Sequence, residues 1–463
     1  MTEEQISKFE AFAQKCMDAD NAVGMAVAVV DREGKTRYEK MFGLGDQERG
    51  AVIDENTIFG LASVTKSFTC LAIMQLAEQG ILKIDDPVSK YIPEFTGSNQ
   101  SAPVLIKHLM RHSGGYFPMS RILISDVAQD MGLDEAVVGD FAFNAALAQE
   151  GCRLVANRMD AQTNLLGAPG QYFSYFNDGY ALLSDIIYRH GDCDSFAAYL
   201  DKHILKPLGM TRSGCDFVKP FKDPNHAALY VVEDGELRNT DYHEEAFVLN
   251  GGGAMKSTLK DMKKYVAMYL SHGKGLDGTQ VATAETIAAM TSPQQAYNYV
   301  TDYGYGLNIK HLNGKTVVGH SGSLPGVSSN MLWCDEAGLG VIVLCNTMDV
   351  ASEAIGEAAM NLALGFEPVN ARYNFEACPW SENLMTAACG EYASTEGNRA
   401  RLFLQDGQLM LESGSKAYPV IPISPSCGMV KKAISDMFIE CIQDEARGVY
   451  GLRCGSRILP RVD

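Results

Sequence analysis

The sequence predicts an α/β fold of the segregated α+β kind: an antiparallel sheet flanked by helices, followed by a small all-β, barrel-like domain. Three observations carry this. Strand patterns stand at both ends of residues 1–365 with helical periodicity between them, so the two ends can pair into one sheet that the helices cover. The stretch FEPVNARYNFEACPWSEN at 366–383 is rich in turn formers and breaks all periodicity. Beyond it, RLFLQDGQLMLES at 401–413 reads as strand, Asp-Gly turn and strand, the cleanest hairpin signal in the chain.

Residues 3–17 read as a helix with Ile6, Phe9, Phe12, Ala13 and Cys16 on one face. Val23–Val30 and Arg37–Phe42 read as strands joined by Asp31-Arg32-Glu33-Gly34. A helical pattern runs from Val64 to Glu78 and stops at Gly80. Further helices are expected at 105–112, 179–190, 194–205, 258–271, 284–291 and 351–364. Ser257 is the expected N-cap of the helix at 258, with Gly251-Gly252-Gly253 as a tight turn before it. Residues 115–165 mix Gly, Asp and Ala-rich pieces and suit a lid over a site. Strands are expected at 304–311, 315–319, 328–334 and 338–345, then at 418–422, 436–442 and 447–453. The resulting division is 1–368, a linker at 369–383, and 384–463.

The chain has 463 residues, 46% hydrophobic and 21% charged, which excludes disordered and collagen-like classes. Its net charge is −18 and no run of Lys and Arg interrupts it, so nucleic acid is not an expected partner. No stretch reaches the ~18–20 apolar residues of a membrane span. The start, MTEEQISKFEAFAQKCMDAD, is acidic and amphipathic, unlike a secretory leader. Twelve cysteines without a C-x-x-C pair then suit reduced thiols in a cytoplasmic protein rather than a metal site.

The chemistry concentrates in a few residues. Ser63 opens a helix, which exposes its Oγ and aims its N–H outward. Lys66 lies one turn on, on the same face. Partial desolvation makes its neutral amine accessible as a base for the serine proton. The same spacing recurs at Ser257–Lys260, Ser271–Lys274 and Ser413–Lys416. Context favours Ser63: it follows Ile58-Phe59-Gly60-Leu61-Ala62 and leads an apolar stripe of Phe68, Leu71, Ala72 and Leu76. Tyr175-Phe176-Asn177 precedes another helix. A tyrosine beside an ammonium relays protons, and an Asn amide holds a carbonyl. His320-Ser321-Gly322 ends a short strand, where Gly322 permits close backbone approach. His112-Ser113-Gly114 has the same form. His108 and His112 have zinc-capable spacing without the glutamate of His-Glu-x-x-His, which favours packing or capping. Asp85-Asp86 before Pro87 suits a turn and cap.

The order Ser-x-x-Lys, Tyr-x-Asn and a late His-x-Gly resembles the serine β-lactamase and penicillin-binding-protein superfamily. The match is closest to the branch of class C β-lactamases, D-alanyl-D-alanine carboxypeptidases, D-aminopeptidases and related esterases. It covers most of 1–365 and includes TIFGLASVTKSFT (57–69), GILKIDDPVSKYIP (80–93), IKHLMRHSG (106–114) and GHSGSLPG (319–326). The resemblance implies a helical subdomain beside the sheet. It makes Ser63 the acylated nucleophile, lets Lys66 and Tyr175 share the proton work, and gives Asn177, His320 and Gly322 to substrate. The N–H groups of Ser63 and Ser323 would form the oxyanion hole. No metal or cofactor is implied, and the partner is a small-molecule or peptide substrate.

His320 stands where many members carry the Lys of Lys-Thr-Gly. A histidine supplies positive charge only when protonated, with an ordinary pKa near ~6.5. This favours peptides, amides or esters, D-residues included, over a dedicated β-lactamase. A true β-lactamase and a non-catalytic binding protein that retains the fold are the alternatives. The C-terminal region resembles the lipocalin-like barrels appended to some members, and the resemblance leaves two roles for it: to reach or cover the cleft and limit substrate size, or to stabilise or dimerise the protein.

Overall fold

Gly24–Asp31 pairs on one side with Thr36–Asp46 and on the other with Leu339–Cys345, so the two ends of the first region do share one antiparallel sheet. The computed structural model describes the whole chain except residues 121, 123, 133–144, 216–221 and 241–249. The sheet has nine strands. From one edge they run Ala51–Val52, Thr36–Asp46, Gly24–Asp31, Leu339–Cys345, Val327–Cys334, Lys315–Leu324, Asn308–Leu312, Asp302–Tyr303 and Gln295–Ala296.

The run MAVAVV is buried on both faces because alternate side chains enter different cores. Ala26, Ala28 and Val30 join the larger core, with Phe68, Leu71, Leu183 and Tyr265 from the helices Thr65–Glu78, Asp178–His190 and Leu259–Leu270. Met25, Val27 and Val29 face a smaller core built with Phe9 and Ile355 from Glu3–Ala19 and Ser352–Ala363. The first helix starts at a capping box in which Gln5 N–H donates to Thr2 Oγ1.

Several elements depart from the sequence reading. The strand expected at 304–311 begins only at Asn308 and runs to Leu312, because Gly306 turns at φ +73° over the Lys66 carbonyl and separates it from the short strand Asp302–Tyr303. The strand expected at 315–319 runs on to Leu324, paired throughout with Val327–Cys334. Its pairing with Asn308–Leu312 stops at Gly319, which leaves the edge from His320 to Leu324 open. Leu324 and Val327 close a two-residue hairpin, so alternation turns the Ser323 N–H towards that open edge. The helix cap is Thr258, whose Oγ1 accepts from Asp261 N–H, not Ser257, whose hydroxyl bonds Ser213 Oγ at 2.7 Å. The hairpin Leu229–Glu233 and Glu236–Thr240 has no counterpart in the sequence reading. The lid expected over 115–165 falls partly outside the described residues. Within it, Ile124–Asp130 and Ala145–Asp160 are helical.

After the helix Glu382–Ala388, itself unexpected, the chain folds into sheets of four and five antiparallel strands. Arg399–Gln405 and Gln408–Ser413 form the expected hairpin, with Asp406 and Gly407 at φ +50° and +80° as a type I′ turn requires. The sheets follow one another in chain order, and Tyr392 of the first strand bridges to Arg461 beyond the last. The meander therefore comes back to its start, barrel-like, around Trp380, Leu402, Leu411, Ile439 and Leu452.

Candidate active site

Ser63 lies in a 3-10 turn, Ala62–Val64, that runs directly into Thr65–Glu78. Neighbours fix this turn. Leu61 N–H donates to the Met255 carbonyl at 2.8 Å, and the Leu61 carbonyl accepts from Ser329 Oγ at 2.7 Å. Thr65 Oγ1 donates to the Ala62 carbonyl at 2.6 Å. Ala62 has φ +45°, a left-handed conformation that a non-glycine residue keeps only where its surroundings enforce it. Gly322 supplies part of that enforcement. A Cβ there would lie 2.3 Å from the Leu61 carbonyl and 2.9 Å from the Ser63 nitrogen. The strand edge and the serine turn are thus in direct backbone contact.

Lys66 is fully buried, with Nζ 3.1 Å from Ser63 Oγ and 2.7 Å from the Gly252 carbonyl. The glycines expected as a tight turn form a short helix, Asn250–Gly253, that supports the Thr65–Glu78 helix; the Gly251 carbonyl also accepts from Thr69 Oγ1 at 2.6 Å. Burial holds the Lys66 amine well below its ordinary range, and the Arg457 charge lowers it further.

Lys66 Nζ stands 4.8 Å from the centre of the Tyr175 ring. The Tyr175 hydroxyl is buried without a hydrogen-bond partner. Burial raises its phenol, while the neighbouring Ser63 hydroxyl and the Arg457 charge oppose the rise. Asn177 precedes the Asp178–His190 helix, and its Oδ1 is likewise buried and unpartnered. A Cβ on Gly252 would lie 3.5 Å from Lys66 Nζ and 3.7 Å from Asn177 Oδ1, so these side chains converge.

His320 is 3% exposed. The Tyr303 hydroxyl lies 3.0 Å from its Nε2, and its Nδ1 lies 2.5 Å from the Ser321 carbonyl. Only an imidazole protonated at Nδ1 and bare at Nε2 satisfies both with Tyr303 donating. Burial, reinforced by the Lys66 charge, pushes its pKa down to about 3. Against the expectation of a histidine poised near neutrality, this ring is neutral.

The cleft has a volume of about 480 Å³, and Ser63, Tyr175, Asn177, His320 and Ser323 line it. So do Glu396, Ser456 and Arg457 from the C-terminal sheets, which the sequence reading did not single out. Arg457 is the one lysine or arginine among the described lining residues. Its Nε and Nη2 donate to Glu396 at 2.5 and 2.9 Å, and Nη1 donates to Ser456 Oγ at 3.2 Å. Of its five donors, three are thus engaged and two have no partner among the described residues. The guanidinium lies 5.2 Å from the Tyr175 ring centre. The docking of this region is built from hydrogen bonds as well: Tyr175 N–H donates to the Ser456 carbonyl at 2.8 Å, and Arg453 donates to the Phe173 carbonyl at 2.7 Å. The one local signal for Arg457 is its place beside the two-residue turn Gly455-Ser456, between strands Gly448–Cys454 and Arg457–Pro460.

His108 and His112 do not converge as zinc ligands. His108 Nδ1 accepts from Leu105 N–H at 3.2 Å, whereas His112 Nδ1 lies 3.1 Å from the Phe176 nitrogen. Asp85 pairs with Lys107, and Asp86 accepts from Lys90 and Tyr91. Asp192, Cys193 and His203 have metal-ligand chemistry, but Lys202 and His203 both hold Asp192 at 2.6 Å, and none of the three lines the cleft.

An antiparallel sheet against a helical region, with a serine–lysine pair between them, defines a class of serine hydrolases. The chain belongs to the beta-lactamase family, whose sequence model matches residues 9–364. It is 26% identical over 412 residues to a penicillin-binding protein of Bacillus subtilis (strain 168), covering 82% of this chain and 81% of that protein. It is 28% identical over 372 residues to esterase EstB of Burkholderia gladioli, covering 74% and 90%. The structure of an octameric penicillin-binding protein homologue from Pyrococcus abyssi superposes with a TM-score of 0.69 at 26% identity, covering 98% of this chain and 99% of that one. Among the described residues no helix is long and apolar enough to cross a membrane.

Proposed function

We propose that the protein is a serine hydrolase that forms an acyl-enzyme on Ser63 and cleaves a small peptide, amide or ester, D-amino acid derivatives included. The observation that carries this reading is the buried Lys66 amine within 3.1 Å of Ser63 Oγ. A desolvated lysine favours its neutral form and serves as a base. Ser63 Oγ attacks the substrate carbonyl carbon, and its proton passes to Lys66 Nζ. The oxyanion takes hydrogen bonds from the N–H groups of Ser63 and Ser323, the latter on the open strand edge. Asn177 and the Gly322 edge orient the acyl part. Collapse breaks the bond to the leaving amine or alcohol, which receives the proton through Tyr175 and Lys66. Water then attacks the ester carbonyl, gives its proton back through the same pair, and frees the acid and Ser63.

The domain reading accompanies this one: 1–368 carries the chemistry, 369–383 links, and 384–463 walls the cleft. His320 serves as a neutral hydrogen-bonding wall rather than a cation. Arg457, charged at all working pH values, is then the group suited to a substrate carboxylate. Penicillin-binding and esterase relatives both support acyl transfer. Intact-protein mass after exposure to a fluorophosphonate tests the reading. A single adduct is expected on the wild type and none on Ser63→Ala; an unlabelled, folded wild type would favour a binding protein that retains the fold.

A further inference from the structure

We propose that His112 is a positioning residue that fixes Tyr175 against Lys66 and Ser63, a role that rests on the reading of Tyr175 as part of the proton path. His112 follows the helix Ile106–Met110 at φ +54° and is 1% exposed. Its main chain and side chain grip the two residues that flank Tyr175. Ser174 N–H donates to the His112 carbonyl at 2.9 Å. Phe176 N–H donates to His112 Nδ1 at 3.1 Å. The imidazole also lies against the Tyr175 ring, with centres 4.2 Å apart and planes inclined by 32°. Tyr175 itself spends its N–H on the Ser456 carbonyl, so its backbone is held from two sides.

This grip matters because the other neighbours of the phenol, Lys66 and Arg457, only face its ring, 4.8 and 5.2 Å from the centre. The Tyr175 hydroxyl has no hydrogen-bond partner among the described residues, so ring position follows backbone position and ring packing. His112 suits the task chemically. Nδ1 lies 3.1 Å from the Phe176 nitrogen and 3.2 Å from the Phe176 carbonyl oxygen, so the neutral ring bonds this residue in either tautomer. Burial, the Lys66 charge and the His320 ring hold the imidazole well below its ordinary pKa, so it stays neutral and keeps its bond to the Phe176 main chain. Histidine also tolerates left-handed backbone better than most residues. The His-Ser-Gly at 112–114, which matches the one at 320–322 in form, thereby acquires a function of its own.

The test uses the full chain with His112→Gly and His112→Asn. Glycine accepts φ +54° and retains the carbonyl that bonds Ser174, so it removes the imidazole alone. Asparagine places Oδ1 where Nδ1 was and accepts the same backbone conformation. Crystal structures report where Tyr175 lies, and fluorophosphonate labelling with p-nitrophenyl butyrate turnover reports the chemistry. In His112→Gly, Tyr175 should shift and both kcat and labelling should fall about 100-fold, the cost of a misplacement near 1 Å, with KM unchanged. His112→Asn should return Tyr175 and most of the rate. A folded His112→Gly with Tyr175 in place, or a folded His112→Asn no better than His112→Gly, overturns the proposal. Should the glycine variant not fold, a folded His112→Asn that displaces Tyr175 or loses labelling overturns it equally. A wild type that never labels would sink the hydrolase reading instead, while the position of Tyr175 would still decide this one.

Discussion

Lys66 Nζ lies 3.1 Å from Ser63 Oγ and 2.7 Å from the Gly252 carbonyl, with no carboxylate at either contact. A neutral amine satisfies both at once: an N–H donates to the carbonyl and the lone pair accepts the serine proton. A permanently charged group at the same place has no lone pair to offer. Lys66→Arg retains a cation but not a base, because a guanidinium stays protonated at any working pH. We expect kcat for a p-nitrophenyl ester to fall about a thousandfold, within the range that general-base removal costs. Steady-state kinetics on folded Lys66→Arg decide it, and a rate near wild type would show that another group takes the proton.

Arg457 and Glu396 act on Lys66 with opposite sign. The Arg457 charge lowers the Lys66 pKa and the Glu396 charge raises it. A base works unprotonated, so the acid limb of kcat/KM follows the Lys66 pKa. Arg457→Gln removes a repelling positive charge, the pKa rises, and the limb moves to higher pH. Glu396→Gln leaves Arg457 without its counter-ion, the pKa falls further, and the limb moves to lower pH. Each shift should be about one pH unit or less, since burial is the largest cause of the lowered Lys66 pKa and the two charges come after it. A pH–rate profile of the two variants checks this, and shifts in the same direction would refute it.

Gly322 and Gly252 border the same site with different tolerance. A Cβ on Gly322 meets backbone at 2.3 Å and Ser329 Oγ at 2.5 Å, so Gly322→Ala must push the strand edge away from the Ser63 turn. A Cβ on Gly252 meets only ordinary van der Waals distances, 3.5 Å at the nearest. We expect Gly322→Ala to cost about 1–3 kcal/mol of stability and about 100-fold in kcat. Gly252→Ala should remain within a few-fold of wild type. Thermal unfolding and kinetics on both variants separate the two. Equal losses would mean that the close approach at Gly322 is not what sets the site.

Local chemistry was legible in the sequence and distant juxtaposition was not. Ser63 and Lys66 are one helical turn apart, so spacing alone puts them together. Gly24–Asp31 was readable from its apolar run, and its partner Leu339–Cys345 from the matching run at the far end. The strand at 315–324 reads short in the sequence because His320, Ser321 and Ser323 line the cleft with polar side chains and Gly322 breaks the apolar pattern. The cap is Thr258 rather than Ser257 because the Ser257 hydroxyl bonds Ser213 Oγ at 2.7 Å, while Thr258 Oγ1 reaches Asp261 N–H at 3.1 Å. Arg457 left no such trace. It meets Tyr175 only through the docking of the C-terminal sheets, by contacts such as Arg453 to the Phe173 carbonyl, and no periodicity encodes them.

His320 provides the remaining prediction, because its surroundings reverse what its residue type suggests. Tyr303 and the Ser321 carbonyl occupy its two nitrogens, and burial then the Lys66 charge push its pKa down to about 3. A group with a lowered pKa stays neutral at every pH above that value, so its charge does not change near ~6.5, where an ordinary histidine titrates. If His320 held a substrate carboxylate by charge, preference for an anionic over a neutral substrate would fall as pH rises through that region. With Arg457 as the fixed cation, the preference stays level. The measurement is the ratio of kcat/KM for a peptide with a free carboxylate to that for its amide, taken between about pH 5 and 8. The Lys66 limb cancels in this ratio because both substrates need the same base. We expect a flat ratio in the wild type and a lower, equally flat ratio in Arg457→Gln. A ratio that drops through the histidine range and survives loss of Arg457 would assign the charge to His320 instead.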